Sequence, residues 1–358
     1  MRQILALVLN LKKYSVNSKI IAELAGVSRS TVTRVLNNYP DISSKTREKV
    51  LKIIKEHEYY PNISAQKLVG KKSGIIGLLV YTGESSKKRG EYKKITESLY
   101  YSELISKIID AGEELGYLIL VSYINRENTS WEKIFANGVI DGALVISGGK
   151  RYKEIEKLIN SKNKIVLLDY EKKIEGKNVT SINSNNFEGG YKGTEYLIKK
   201  GHRDILYITG ELKRKSTILR VRGYQKCLKD NQILINKVIP GKFNKESGKE
   251  IINNLMRENK EFKYTAILCG NDYIAFGVIE GLKENGLKVP EDISVIGYDN
   301  MELCEYTTPK ITSINHLDKN IAKKALIKLI NILEDKEEEA IETEIEIIER
   351  ESVKKLSK

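Results

Sequence analysis

From residue 74 onward the chain alternates short apolar runs with amphipathic stretches of helical length, and few folds accept that pattern. "GIIGLLVY" (74–81), "YLILVSY" (117–123), "DGALVIS" (141–147), "KIVLLDY" (164–170), "DILYITG" (204–210), a segment near 236–240, "TAILCG" (265–270) and "DISVIGYD" (292–299) predict strands. Between them, 102–116, 151–161, 187–200, 218–231, 246–259 and 272–285 predict helices. Such β-α alternation implies parallel sheets with helices on both faces. The strands are too many for one small sheet, so two α/β lobes are expected. Ligands of such sheets sit beyond the strand C-termini. Tyr81, Asp169, Asn271 and Asp299 stand at those ends. The glutamate run 334–344 predicts a solvated turn between a helix and a last strand, "IEIIE" (345–349).

The first fifth of the chain has a different character. Residues 1–72 carry 14 Lys+Arg against 5 Asp+Glu, and the remaining 286 carry 47 against 43, so most of the net charge of +13 sits in one small segment. A basic module on a nearly neutral body implies a polyanion partner, most simply nucleic acid. The three cysteines, Cys227, Cys269 and Cys304, form no CxxC pair, so neither a zinc site nor a disulfide framework is expected. That usage suits a reducing cytoplasm. The apolar run at Ile4–Leu9 is too short to span a membrane and lacks a cleavage signal, so neither export nor a membrane partner is expected.

Within the basic segment, "SKIIAELAGVSRSTVTRVLNN" (18–38) has helix-turn-helix spacing. Ala22 lets two helices approach, Gly26 permits the turn, and Val32 packs the second helix onto the first. Asn17 or Ser18 can cap the first helix and Ser28 the second. Arg29, Ser30 and Arg34 then point outward, where Arg can read guanine and Ser adapts to several bases. Thr31, Thr33 and Ser43 are candidate phosphate donors, and Asn37, just past the second helix, joins the DNA-facing set. A third helix over 43–59 buries Val50, Ile53 and Ile54. An ordinary helical hairpin with a polar face would share the spacing, but not the charge. Next comes "PNISAQKLVGKK" (61–72), bracketed by Pro61 and Gly70 and barely two turns long. Isolated helices that short are unstable in water. Its one large apolar residue, Leu68, lies among Lys67, Lys71 and Lys72.

These stretches resemble the lactose-repressor/galactose-repressor family of bacterial transcription regulators. "IAELAGVSRSTVTRVLNN", "SSKTREKV", "YYPNISAQKL" and "SGIIGLLV" follow that family's N-terminal pattern in order. "NNFEGGYKGTEYLIKKGHRDILYITG", "LRVRGYQKCL", "AILCGNDYIAFGVIEGLKENGLKVPEDISVIGYDN", "PKITSIN" and "RESV" match its body, so the resemblance spans about residues 16–354. It implies an all-α helix-turn-helix headpiece (16–61), a hinge helix (62–72), and a two-lobed α/β body like the periplasmic sugar-binding proteins (73–358). It also implies a homodimer on pseudo-palindromic operator DNA, with a small effector, usually a sugar or nucleoside-type molecule. By position, Arg29, Ser30 and Arg34 would read bases and Leu68 would wedge into the minor groove, folding its segment on DNA. Asp169, Arg220, Asn271 and Asp299 match effector contacts, and Phe243 matches an aromatic that stacks on a sugar ring. Charged and amide groups suit hydroxyls, and an aromatic suits the sugar's apolar face. Turn-capping roles for Asn271 and Asp299, and a core role for Phe243, stand beside that reading. Gly193, Gly201 and His202 are expected at helix ends and in packing, with no cofactor or metal.

The chain also departs from the family. Residues 1–15 extend beyond its usual start, with translation from near Val16 as one explanation, and Ser18 and Ile20 replace an apolar and an acidic residue. Segment 82–105 lacks the family's Asn-Pro-aromatic sequence, although "ESLYYSELI" is similar to the tyrosine-containing equivalent in galactoside-type regulators, favouring a galactoside or related sugar. No leucine heptads follow Val353, so a dimer is expected rather than a tail-made tetramer. A sugar-binding protein of transport or sensing without DNA regulation is the competing reading. An enzyme is disfavoured by the lack of a strand-linked GxGxxG, a Walker loop or a nucleophile elbow.

Overall fold

The computed structural model describes residues 16–36, 38–59, 72–81, 99–125, 130–147, 153–170, 172–234, 237–258, 262–316 and 320–356. Asn37, Leu68, the extension 1–15, most of the segment 62–72 and residues 82–98 lie outside them. The chain divides into two compact units between Ser73 and Gly74.

The first unit holds α1 (Ser18–Ala25), α2 (Arg29–Leu36) and α3 (Ser44–Glu56). Two of these have only eight residues, so their stability comes from caps and packing rather than propensity. The Asn17 side chain accepts from Lys19 N (3.0 Å) and Ile20 N (3.2 Å), and Gly26, at φ 63°, ends α1 in the left-handed region that glycine tolerates. Ser28 Oγ accepts from Thr31 N at 3.1 Å, and Ser43 Oγ from Thr46 N at 3.2 Å. Ile21, Ala22, Ala25, Val32, Val35 and Val50 bury the shared face, with Ile53 and Ile54 packed against it.

The second unit is two lobes. The first sheet runs β12-β6-β4-β3-β1-β2, from β1 (Ile75–Tyr81), β2 (Leu118–Ile124), β3 (Gly142–Ile146), β4 (Ile165–Leu168), β6 (Val179–Ser184) and β12 (Ile341–Thr343). All pair in parallel; the two-residue β5 (Glu175–Gly176) adds an antiparallel edge to β6. Helices α4 (Leu99–Glu114), α5 (Ser130–Ala136) and α6 (Lys153–Ile159) belong to this lobe, as does α11 (Ile321–Leu333). Period-two alternation sorts the strand side chains. Leu78, Val80, Leu144 and Ile146 pack with α4 and α11, whereas Leu79, Tyr81, Ala143 and Val145 pack under α5 and α6. The second sheet runs β13-β11-β10-β9-β7-β8, from β7 (Ile205–Thr209), β8 (Lys237–Pro240), β9 (Ala266–Cys269), β10 (Ser294–Tyr298), β11 (Thr312–Asn315) and an antiparallel β13 (Glu346–Ile348). Its faces are covered by α7 (Asn186–Lys199) with α8 (Lys215–Asp230), and by α9 (Lys245–Glu258) with α10 (Asp272–Glu284).

The chain passes between the lobes three times: after β6, between β11 and α11, and between β12 and β13. The strand β6, "VTSINS", was not predicted, and "TSIN" of β11 was seen only as part of a motif. Thr180, Ser181, Thr312 and Ser313 are fully buried, so these core strands lack an apolar signature. Residues 334–344 are not simply the solvated turn expected. Ile341–Thr343 pairs with β6 as a sheet edge, because Ala340 and Thr343 turn inward.

Helices α7 and α8 touch through glycines. A Cβ on Gly223 would stand 2.0 Å from Phe187 O, and one on Gly190 2.0 Å from Arg220 O. Gly223→Ala is therefore expected to destabilise the body by about 1–3 kcal/mol through overpacking, with a lower urea midpoint as the measurement.

Candidate functional site

In the first unit, α2 presents Arg29, Ser30, Thr33 and Arg34 to solvent, with Thr31 half-buried. Arg34 is ion-paired to Asp41, its guanidinium 5.6 Å from the Tyr39 ring centroid. Arg29 Nη2 donates to Ser18 Oγ at 3.3 Å, and Ser30 Oγ lies 2.6 Å from Ser28 Oγ. Thr31 Oγ1 lies 2.9 Å from Ser28 Oγ, and Thr33 donates to Arg29 O at 3.1 Å. Ser43 serves first as the α3 cap. Arg47 Nη1, not singled out from sequence, donates to Asn38 Oδ1 at 2.6 Å, and its Nη2 to Tyr39 O at 2.5 Å. Those bonds hold the turn that follows the outward helix.

In the second unit, a polar chain runs from one lobe to the other. Tyr100 donates its hydroxyl to Asp169 Oδ2 (3.0 Å), and Ser184 donates to Asp169 Oδ1 (2.9 Å). Ser184 Oγ lies 2.6 Å from His316 Nδ1, and His316 Nε2 lies 3.1 Å from Asp299 Oδ1. Asp169 follows β4 and Asp299 follows β10, each one residue beyond its strand. Their amides still extend the ladders, Asp169 N to Ile182 O at 3.0 Å and Asp299 N to Ile314 O at 2.9 Å. Both backbones are left-handed, φ 51° and 112°. That region is uncommon for non-glycine residues, and residues held there cluster at binding sites. Burial, then the charges of Asp169 and Asp299, pushes the Tyr100 phenol well above its ordinary value, so it stays a donor.

Arg220, on α8, is buried. Burial opposes its charge, but Tyr298, Asp299, Tyr207 and Asp169 raise it above the ordinary guanidinium value. Its Nε donates to Asn186 Oδ1 (2.8 Å), its Nη1 to Gly270 O (2.7 Å), and its guanidinium lies 3.6 Å from the Tyr298 ring centroid. The remaining sequence-predicted residues are placed differently. Tyr81 belongs to the apolar cluster under α5 and α6, because its position in β1 turns it to that face. Asn271 caps α10, accepting from Ile274 N at 2.9 Å, the turn-capping role that stood as its alternative. Phe243 is half-buried against Gly210, with the Arg214 guanidinium 5.2 Å from its ring centroid. His202 is buried between Thr265 Oγ1 (3.0 Å) and Lys354 O (3.1 Å), in packing as expected.

Sequence reasoning missed Ser184, His316 and Asp272. His316 is one of three histidines and directly follows β11, a strand-end signal of the kind that singled out Asp299. Asp272, fully buried beside Asn271, accepts from Ser313 Oγ (2.6 Å) and Met301 N (2.8 Å), tying α10 to the loop that carries Asp299.

A helix-turn-helix unit and a two-lobed body with facing strand-end carboxylates define a DNA-binding regulator with a ligand-responsive body. Residues 19–62 match the family described as "Bacterial regulatory proteins, lacI family", and residues 194–353 match the "Periplasmic binding protein-like domain". The chain is 32% identical over 348 residues to the HTH-type transcriptional repressor PurR of Vibrio campbellii, covering 95% of this chain and 99% of that one. The lac repressor dimer bound to operator and the anti-inducer ONPF superposes with a TM-score of 0.79 at 26% identity, covering 95% of this chain and 100% of that one. An Enterococcus faecium LacI-family regulator with bound ribose gives a TM-score of 0.65 at 26% identity, covering 79% of this chain and 100% of that one. The chain belongs to the LacI family. It is a DNA-binding transcriptional repressor with an effector-binding body, and not an enzyme. Among the described residues no helix is long and apolar enough to cross a membrane.

Burial, with the charge of Asp299 adding, pushes the Asp272 carboxyl up to about 7. Its folded value thus exceeds its ordinary one, so the protonated form favours folding. That stabilisation is complete below about pH 4 and is lost as pH rises through about 7. Asp272→Asn is expected to remove a stability loss on the order of 3 kcal/mol across that window. Urea unfolding of both proteins at a series of pH values measures it.

Proposed function

We propose that this repressor acts as a homodimer on a pseudo-palindromic operator and that a sugar-class effector, bound between the lobes, controls its DNA affinity. The observation that carries the effector reading is the pair Asp169 and Asp299, one per lobe, each on left-handed backbone at a strand end. Carboxylates accept from sugar hydroxyls, Arg220 donates to ring or hydroxyl oxygens, and Phe243 offers an apolar face. The named ligands of similar repressors, ribose among them, support the class. A purine-type base is the second reading, favoured by full-length similarity to repressors named PurR. Asn271 and Tyr81 enter as supporting residues, one by shaping the start of α10, the other from the end of β1.

Dimerisation is supported by the outer edge of the first sheet. There β2 and α4 expose Leu118 (69%), Tyr123 (49%), Ile109 (44%) and Val121 (39%). An apolar edge of that kind is a liability unless covered, and a second copy covers it by symmetry. On DNA, Arg29, Ser30 and Arg34 read base edges, Thr31, Thr33, Ser43 and Asn37 bind backbone, and Leu68 wedges between base steps. Thr33 must first release the Arg29 carbonyl. An effector preferring one lobe angle by about 1–3 kcal/mol changes operator affinity about 5–150-fold.

Arg34→Ala is expected to weaken operator binding by roughly 1–3 kcal/mol and relax base preference at one position. Gel shifts on operator variants measure this, and a uniform loss across sequences reassigns Arg34 to phosphate. Thermal-shift titration with D-galactose, methyl galactoside, D-ribose, adenine and guanine tests the effector class. A sugar that raises the melting temperature of the wild type should leave Asp299→Ala unchanged, while the variant still binds operator. A response to the bases alone replaces the sugar reading with the purine one.

A further inference from the structure

The three chain crossings between the lobes meet at one residue. Ser184 ends β6 at the first crossing, His316 follows β11 at the second, and Thr343 ends β12 at the third. The His316 ring contacts Ser184 Oγ, and its backbone carbonyl accepts from the Thr343 hydroxyl. The same ring reaches Asp299 of the second lobe through Nε2 and Asp169 of the first through Ser184. It is 1% exposed, with Tyr100 stacked at 5.9 Å and Tyr298 at 5.1 Å between ring centroids.

We propose that His316 is a positioning residue that sets the spacing of Asp169 and Asp299 across the cleft and pins the three crossings that govern the lobe angle. This rests on the effector reading above only in taking those two carboxylates as the ligand contacts. The donor count shows why a histidine suits the position. Asp169 accepts from both Tyr100 and Ser184, so the single Ser184 proton is spent and its oxygen must accept from His316 Nδ1. Asp299 accepts from Nε2. All four links therefore form together only when both ring nitrogens carry hydrogen. The charged and titratable groups around the ring are Asp299 after β10, Asp169 after β4, Tyr100 on α4, Tyr298 on β10, and Arg220 on α8 behind the Tyr298 ring. Removing the ring breaks the links to both carboxylates and frees the lobes to rotate.

The test needs no effector, so it fails or succeeds separately from the effector reading. Spin labels on Lys153→Cys of α6 and Lys283→Cys of α10, one on each lobe, report the interlobe distance in the full chain. The native Cys227, Cys269 and Cys304 are buried and stay unlabelled. Wild type is expected to give one narrow distance. His316→Ala should add a second, shifted population, and His316→Gln, which keeps one of the two links, should lie between them. Ser184→Ala, a small truncation that leaves the histidine in place, should reproduce the His316→Ala distribution if the alanine variant of His316 folds poorly. Identical narrow distributions in wild type and all variants overturn the proposal.

Discussion

Hydrogen bonds among Ser184, His316 and Thr343 hold together the three strands of chain that join the two lobes. The lobes otherwise have separate cores, each a largely parallel sheet with its own apolar cluster on either face. A two-lobed body gains responsiveness only if its lobes are rigid and its connections few. Here the connections coincide with the polar chain that runs from Asp169 through Ser184 and His316 to Asp299. Under the proposed function, a ligand engaging Asp169 and Asp299 would act on those same bonds.

The headpiece follows a different economy. Its eight-residue helices have little intrinsic stability, and caps at Asn17, Ser28 and Ser43 satisfy the orphan amides that would otherwise fray them. Val32, fully buried, fixes α2 so that its other face stays outward. The residues free to meet DNA are those that this small core leaves over. Arg34 and Asp41 show the cost of that exposure. The Arg34 guanidinium on the outer face of α2 pairs with the nearby Asp41 carboxylate, and that exposed pair contributes little to stability.

Legibility followed the nature of each strand. β1, β3, β4, β7, β9 and β10 are apolar runs buried on both faces and could be read directly. β6 and β11 could not, since their buried threonines and serines resemble loop composition. The same reason hid Ser184, which ends β6, and His316, which follows β11. Asp169 and Asp299 were singled out because they follow legible strands, and the structure joins them through Ser184 and His316. Tyr81 ends a legible strand too, but its parity sends it to the opposite face of the sheet. Asn271 also fits the strand-end rule, yet its side chain is engaged by the first turn of α10.

The sequence alone determined the parallel α/β lobes, the capped helix-turn-helix, the separation of a basic module from a neutral body and the family, because each depends on local periodicity or on motifs a few residues long. Only the tertiary structure decided which strand-end groups meet. Asp169, Ser184, Asp299 and His316 are spread over 148 positions, and no local pattern brings them together. Their meeting depends on strand order and on the return of the chain across the lobes, and these follow from how whole sheets bury their faces.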